Sequence, residues 1–151
     1  MNKDNLPELS MLQIVPESGC IQKIVFNYTL YAIIVRRTLA FEGYNFVTAV
    51  EDSLQLGVNH YAEGTLIKRH YHLPMQRKIS DTLEILHIDQ GKCIIDFYCP
   101  DEKPVYSTEL VTGDTVILMN GGHGLHVIEK TRIIEVRQGP YMGIEKEKRL
   151  F

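Results

Sequence analysis

The sequence lacks any apolar run long enough to cross a membrane. Its most apolar early stretch, Tyr28 to Val35, is far shorter than the roughly 20 residues that a spanning helix needs, and it ends at Arg36 and Arg37. The first ten residues also lack the apolar core of a signal peptide. We therefore expect a cytoplasmic protein with no membrane partner.

A strong charge of one sign and paired cysteines are lacking as well. The net charge of −3 argues against a protein that binds nucleic acid by neutralising phosphates. Cys20, Cys93 and Cys99 are odd in number and have no C-x-x-C spacing, which predicts reduced thiols that fill the core. With 151 residues, 44% of them apolar and 23% charged, the chain should fold as one globular domain.

Sustained helical periodicity is almost absent, whereas short runs rich in Val, Ile, Leu and Tyr recur between Gly, Pro, Asp and Asn. This pattern predicts an all-β protein. The predicted strands are Ile24 to Val35, Leu54 to Tyr61, Leu66 to His72, Thr82 to Asp89, Lys92 to Tyr98, Val105 to Leu110, Thr115 to Met119, Leu125 to Glu129 and Arg132 to Arg137. The first twenty residues are polar and weakly patterned, which predicts a loose arm or an added edge strand.

Three histidines and a glutamate form a candidate metal site. His70 and His72 are one residue apart in a predicted strand, and Glu84 lies in the next one. Alternate residues of a strand point to the same face, so we expect two imidazoles and a carboxylate on one side of a sheet. His123, which follows two glycines, is the candidate third imidazole. Such donors suit a divalent transition metal and leave positions open for water or substrate.

The residues around these four resemble the motifs of the cupin family. The first cupin motif is G-x5-H-x-H-x3-4-E-x6-G, and it is matched by Gly64, His70, His72, Glu84 and Gly91. Eleven residues separate His72 from Glu84, where the family has three or four. The ending Thr82-Leu83-Glu84 is similar to the family's T-x-E.

The second cupin motif, G-x5-P-x-G-x2-H-x3-N, is matched in part. Gly113 and Gly121 occupy its glycine positions, and Met119 stands where proline is usual. His123 comes one residue early and the terminal asparagine is absent. Gly124, directly after His123, is similar to the His-Gly that often ends this motif.

The resemblance covers roughly Leu54 to Val136 and implies a cupin-type double-stranded β-helix, a small jelly-roll barrel. Residues 1–50 would then be an N-terminal arm with added strands packing on the barrel, and residues 51–151 the barrel itself. The implied cofactor is one divalent metal, Fe, Mn, Zn or Ni, held by His70, His72, Glu84 and His123. The implied ligand is a small polar molecule inside the barrel.

The resemblance also carries the functional expectation. Short cupins similar to this chain are often bacterial enzymes or accessory proteins of carbohydrate and surface-polysaccharide metabolism, which implies a sugar isomerase or epimerase. A metal-dependent dioxygenase, a non-catalytic ligand-binding or sensor protein, and a barrel with a vestigial, metal-free site are the alternatives. Tyr61, His60 and Arg77 are candidates for the catalytic acid or base by position alone, and Arg77 could instead bind an anionic group of the substrate.

Two other histidines compete for the metal. His126 lies three residues after His123, and because residues three apart on a strand face opposite ways, only one of the two should reach the site. We favour His123, whose preceding glycines free the backbone. His87 is out of phase with Glu84, so we expect it to face away.

A homodimer is expected from the long apolar strand predicted between Ile24 and Val35. In a monomer this strand would leave an apolar edge exposed, so we expect it to pair or pack against a second copy. The turn from Arg137 to Tyr141 could close the barrel, cover its mouth or contact the partner chain.

Overall fold

The computed structural model describes residues 12–16, 19–40 and 43–151. They form eleven strands and one short helix: β1 Leu12–Pro16, β2 Ile21–Phe26, β3 Thr29–Val35, β4 Gly43–Phe46, β5 Gly57–His60, β6 Glu84–Gln90, β7 Lys92–Tyr98, β8 Pro104–Val111, β9 Thr115–Leu118, β10 Gly122–Val127, β11 Arg132–Arg137 and α1 Ile144–Glu147. Every strand pairing is antiparallel. The prediction of an all-β protein is confirmed. In the described part of the chain, no helix has the length and apolarity needed to cross a membrane.

The predicted strand from Ile24 to Val35 is wrong as a single element. A turn at Asn27 and Tyr28 divides this stretch between β2 and β3, which pair with each other. Both turn residues have positive φ values, 48° and 60°, as a tight hairpin turn requires. Each of the two strands also has a second neighbour, so this segment has no free edge to offer a partner.

The predicted strand from Leu66 to His72 is also wrong, because residues 61–83 contain neither strand nor helix. At the N-terminus, the predicted arm contains β1, an edge strand paired with β2. Residues 1–11 and 17–18 of this predicted arm lie outside the described residues. The strands Lys92–Tyr98 and Arg132–Arg137 have the predicted ends.

Nine strands belong to one compact unit, formed by the described residues up to Leu39 together with Leu83–Phe151. Its larger sheet has the order β1-β2-β3-β9-β6-β11, and its smaller sheet the order β10-β7-β8. From β6 onwards the chain repeatedly passes from one sheet to the other. Both sheets have open edges in the described residues, where no closed barrel is found.

The two sheets of this unit share one hydrophobic core. Along β6, Glu84, Leu86 and Ile88 are buried while the intervening residues are less so, and β7 repeats this alternation. The core cluster consists of Ile24, Tyr31, Ala32, Ile34, Leu86, Ile88, Cys93, Ile95, Phe97, Leu110, Val116 and Leu118. Because side chains point to alternate faces along a strand, every second residue enters the space between the two sheets.

Glycines occupy two of the corners where the chain changes sheet. Gly91, between β6 and β7, has φ 94°, and a β-carbon there would overlap the carbonyl oxygen of Lys130. Gly121, before β10, has φ 74°, and a β-carbon there would overlap the ring of Tyr31. Both positions need the left-handed backbone and the close approach that only glycine permits without strain.

The second compact unit comprises Ala40–Thr82. It contains the antiparallel pair β4 and β5, whose register runs from Gly43 opposite His60 to Phe46 opposite Gly57. From residue 59 to residue 82 every side chain is exposed. This segment therefore has no apolar core of its own.

Candidate functional site

Glu84 and His123 form the central pair of the candidate site. Glu84 begins β6 on its buried face, and His123 lies on β10 directly opposite the buried Phe97 of β7. The His123 Nε2 atom is 3.4 Å from the Glu84 Oε2 atom. Because directly opposed residues of paired strands share a face, both side chains project into the space between the two sheets.

The electrostatics of this pair involve a second carboxyl group. The hydrogen bond from His123 lowers the pKa of Glu84 from 4.5 to about 2, against the opposing effect of burial. Glu135 of β11 also hydrogen-bonds Glu84, and this bond, with burial, raises the pKa of Glu135. Opposite shifts in two bonded carboxyls mean that Glu84 is ionised while Glu135 retains a proton more readily.

Basic side chains lie next to the carboxyl pair. The Arg137 Nε atom is 3.5 Å from a Glu135 oxygen, and its guanidinium lies 4.0 Å from the centre of the Tyr141 ring. Lys148 contributes positive charge that favours the ionised form of both Glu84 and Glu135. Glu135 was not among the site residues predicted from the sequence. Its position two residues from both Ile133 and Arg137 in the predicted strand places it on their face, and this spacing could have identified it.

The segment after β11 returns to the strands that carry this pair. The Gln138 side-chain oxygen accepts a hydrogen bond of 2.8 Å from the Leu83 backbone N–H, just before Glu84. At the chain end, the Phe151 ring packs edge-on against Tyr98 with 5.2 Å between centroids. A β-carbon on Gly122 would lie 3.1 Å from Phe151, so the tail also contacts the start of β10.

The other two predicted ligands, His70 and His72, belong to the second compact unit. Their rings are 5.3 Å apart in an edge-to-face arrangement, and His70 Nδ1 is 2.9 Å from the Lys68 carbonyl oxygen. They lie in an exposed segment with no strand, so the strand alternation expected to align them is not present there. Within the residues described, no group of three or more His, Cys, Asp or Glu side chains meets as a metal site.

The competing histidines have clear orientations. His126 lies opposite Ile94 on the face of β10 away from His123, as the difference of three residues requires. His87 hydrogen-bonds the Thr115 hydroxyl at 2.9 Å and is on the face of β6 opposite to Glu84.

The three candidates for a catalytic acid or base lie in the second unit. His60 ends β5, Tyr61 follows it, and Arg77 is in the exposed segment. All three side chains are exposed.

A cleft of about 370 Å³ lies elsewhere in the first unit, beside Arg36 and Asp114. The Arg36 guanidinium donates to Asp114 at 2.9 Å, to Gln22 at 2.7 Å and to the Glu109 carbonyl at 2.7 Å. Because acceptors of the protein itself occupy this guanidinium, we assign the network a structural role.

The separation of Glu84 and His123 is that of an ion pair, and it also lies within the range of two ligands of one metal. Two ligands bound to one metal at about 2.1 Å lie roughly 3.0 to 3.4 Å apart for angles between octahedral and tetrahedral. The observed 3.4 Å is within this range, and the pair supplies one anionic oxygen and one imidazole nitrogen. Comparisons with protein-family models, with curated proteins and with solved structures found no match.

Proposed function

We propose that this chain is a metal-binding cupin enzyme that acts on a small polar molecule, with His70, His72, Glu84 and His123 as metal ligands. The observation that carries the proposal is the contact between Glu84 and His123. Glu84 is the first residue of β6 and His123 the second residue of β10, in different sheets, and their side chains meet at a distance suited to one metal. Glu84 belongs to the first cupin-like motif and His123 to the second. Their contact therefore supports the pairing of the two motifs on grounds other than the sequence pattern.

The sheet topology supports the jelly-roll part of the proposal. A jelly roll consists of two antiparallel sheets whose strands alternate along the chain. Here β6 and β9 lie in the larger sheet, whereas β7, β8 and β10 lie in the smaller one. Glycine corners at Gly91 and Gly121 make the crossings possible.

The chain's own residues suit a polar substrate. When bound, a divalent metal supplies a Lewis acid that polarises a carbonyl or hydroxyl oxygen. The interaction with Glu84 raises the pKa of Glu135, and the protonated form of this carboxyl is the one that donates a hydrogen bond or a proton to a substrate oxygen. Arg137 and Lys148 place positive charge at the same end of the sheets. Isomerisation or epimerisation of a sugar derivative is the reaction that the cupin resemblance favours.

Metal analysis of single variants tests the ligand set. Protein purified without chelator or metal affinity resin should contain close to one metal per chain, and the alanine variants of the four proposed ligands should each lose most of it. His126→Ala and His87→Ala are matched controls, because both side chains lie on strand faces away from Glu84.

The metal content of these variants distinguishes a protein with the proposed site from one without it. Full metal content in folded Glu84→Ala and His123→Ala proteins would disprove the site. Metal loss in the four variants but not in the controls would support it, and turnover of sugar phosphates or nucleotide sugars by the metal-loaded protein would then distinguish an enzyme from a binding protein.

A further inference from the structure

Two arginines of the first unit are buried to the same extent but differ in their hydrogen bonds. The side chains of Arg36 and Arg137 are 21% and 22% exposed. The Arg36 guanidinium donates five hydrogen bonds, to Gln22, Thr108, the Glu109 carbonyl and Asp114. To the residues that the structure describes, the Arg137 guanidinium donates none. Largely buried polar groups are normally hydrogen-bonded, so the unused donors of Arg137 need an explanation.

The carboxylates near Arg137 do not use these donors. The Arg137 Nε atom is 3.5 Å from a Glu135 oxygen, and its Nη1 atom is 3.9 Å from a Glu147 oxygen. Charge-assisted hydrogen bonds between such groups are about 2.7 to 2.9 Å long. The other oxygen of Glu147 accepts a hydrogen bond from the Met142 backbone N–H. Both contacts of Arg137 are therefore loose ion pairs that leave its N–H groups to another acceptor.

The donors of Arg137 are accessible from outside the protein. Among the described residues, no side-chain nitrogen or oxygen is both fully buried and without a hydrogen bond. Since Arg137 has no hydrogen bond, each of its guanidinium nitrogens must reach solvent. The guanidinium carbon lies 4.0 Å from the centre of the Tyr141 ring, which restrains the plane of the group. Its N–H groups point outward in that plane, so contact with the ring leaves them available to an acceptor.

This guanidinium lies beside the candidate site. Arg137 ends β11 directly opposite Glu84 of β6. Directly opposed residues share a face of the sheet, and their β-carbons are about 5 Å apart. The Glu84 carboxylate in turn contacts the His123 ring. A molecule bound at Glu84 and His123 would therefore have Arg137 as a neighbour.

The charges at this end of the sheets favour a negative group on such a molecule. Arg137 and Lys148 each supply one positive charge, and a bound divalent metal would supply two more. The carboxyl groups described above, Glu84, Glu135 and Glu147, carry at most three negative charges. The metal-loaded site therefore has a surplus of positive charge, which attracts an anionic ligand.

We propose that Arg137 binds an oxyanion group of the ligand, a phosphate or a carboxylate, while another part of the same ligand reaches the metal at Glu84 and His123; the metal contact rests on the proposed function. Paired N–H groups of a guanidinium match the oxygens of both kinds of oxyanion. This assignment gives Arg137 the role for which the sequence suggested Arg77, an exposed residue of the second unit.

Titration with simple anions tests the subsite. Inorganic phosphate and acetate are added separately at constant ionic strength to chelator-treated protein and to protein loaded with zinc, and binding is followed by heteronuclear NMR. At least one anion should bind, and Arg137→Gln should weaken its binding about tenfold or more. Arg132→Gln is the matched control, because Arg132 begins the same strand but is 73% exposed and pairs with Asp89. It should bind the anion within about twofold of wild type.

The two anions distinguish the two kinds of ligand. Binding of phosphate alone would assign phosphorylated ligands to the site, and binding of acetate alone would assign carboxylates. If wild-type protein binds neither anion in either form, or if Arg137→Gln and Arg132→Gln bind it equally well, the proposal is wrong.

Two further variants keep the test valid if Arg137→Gln does not fold. Arg137→Lys keeps the positive charge but lacks the paired N–H groups, and Tyr141→Leu keeps the guanidinium but removes the ring beside it. Each should weaken anion binding severalfold. Wild-type affinity in both variants would overturn the assignment of Arg137.

Metal content, measured on the same samples, separates this proposal from the proposed function. Anion binding that depends on Arg137 in a protein that takes up no metal would support the subsite and reject the metal function. Metal bound at Glu84 and His123, together with an anion affinity that does not change in Arg137→Gln, would reject the subsite and leave the metal function standing.

Discussion

Replacement of Asp114 by asparagine tests the buried ion pair that fixes the turn before β9. Asp114 is 1% exposed, and its carboxylate accepts hydrogen bonds from the Arg36 guanidinium at 2.9 Å, the Arg37 backbone N–H at 3.0 Å and the Val111 backbone N–H at 3.2 Å. Asparagine has nearly the same volume but one acceptor oxygen and no charge. Its amide group would donate where the carboxylate accepted, so at least one donor loses its partner.

The size of the effect follows from burial. Removing one member of a buried ion pair costs about 3 to 5 kcal/mol. The Arg36 side chain is 21% exposed and keeps Gln22 and the Glu109 carbonyl as acceptors. We therefore expect the low end, a loss of about 3 kcal/mol in the free energy of unfolding.

Equilibrium unfolding in urea measures this loss. The slope of free energy against urea should stay unchanged, because the surface exposed on unfolding is the same. Asp101→Asn is the control, since Asp101 is exposed in the turn between β7 and β8, and it should remain within about 0.5 kcal/mol of wild type. An Asp114→Asn protein as stable as this control would refute the assigned role of the network.

Three further predictions concern local conformation and charge. Because the pKa of Glu84 is lowered from 4.5 to about 2, the ionised Glu84 stabilises the folded protein above pH 4.5, and this stabilisation is lost as the pH falls. Between pH 6 and pH 3 the loss of this contribution should lower the free energy of unfolding by at most about 2 kcal/mol. His123→Phe should make this decrease smaller, because it removes the hydrogen bond to Glu84. Gly121→Ala should destabilise by about 2 kcal/mol because its β-carbon meets the Tyr31 ring, whereas Gly124→Ala, in ordinary contact with Tyr98, should cost about 1 kcal/mol or less in thermal unfolding. Tyr28→Gly should raise the melting temperature, since a tyrosine at φ 60° is strained by about 1 kcal/mol; an unchanged or lower value would count against strain in this turn.

Strand positions were readable where the local pattern is strong. Lys92–Tyr98 alternates buried and less buried residues along its whole length, and glycine precedes it, so both ends were predicted. The turn at Asn27 and Tyr28 was missed because it contains neither glycine nor proline, and its flanks form one apolar run in the sequence.

The candidate site was only partly accessible to sequence reasoning. Glu84 and His123 were identified individually, by motif and by strand phase. Their contact is between residues 39 positions apart on different sheets, and no local pattern specifies such a pairing. The carboxyl of Glu135 joined the site for the same reason, through the pairing of β11 with β6.

The sequence by itself determined the all-β class, most strand positions, and the faces on which Glu84, His87, His123 and His126 lie, because side-chain direction in a strand follows a period of two whatever its partners. Only the tertiary structure decided that β10 lies at an edge and β3 in the interior of the sheets that the described residues form, and that Glu84 meets His123. The order of strands in a sheet depends on which distant segments bury apolar surface against each other. The free energy gained by this burial is a property of the whole core rather than of any single stretch of chain.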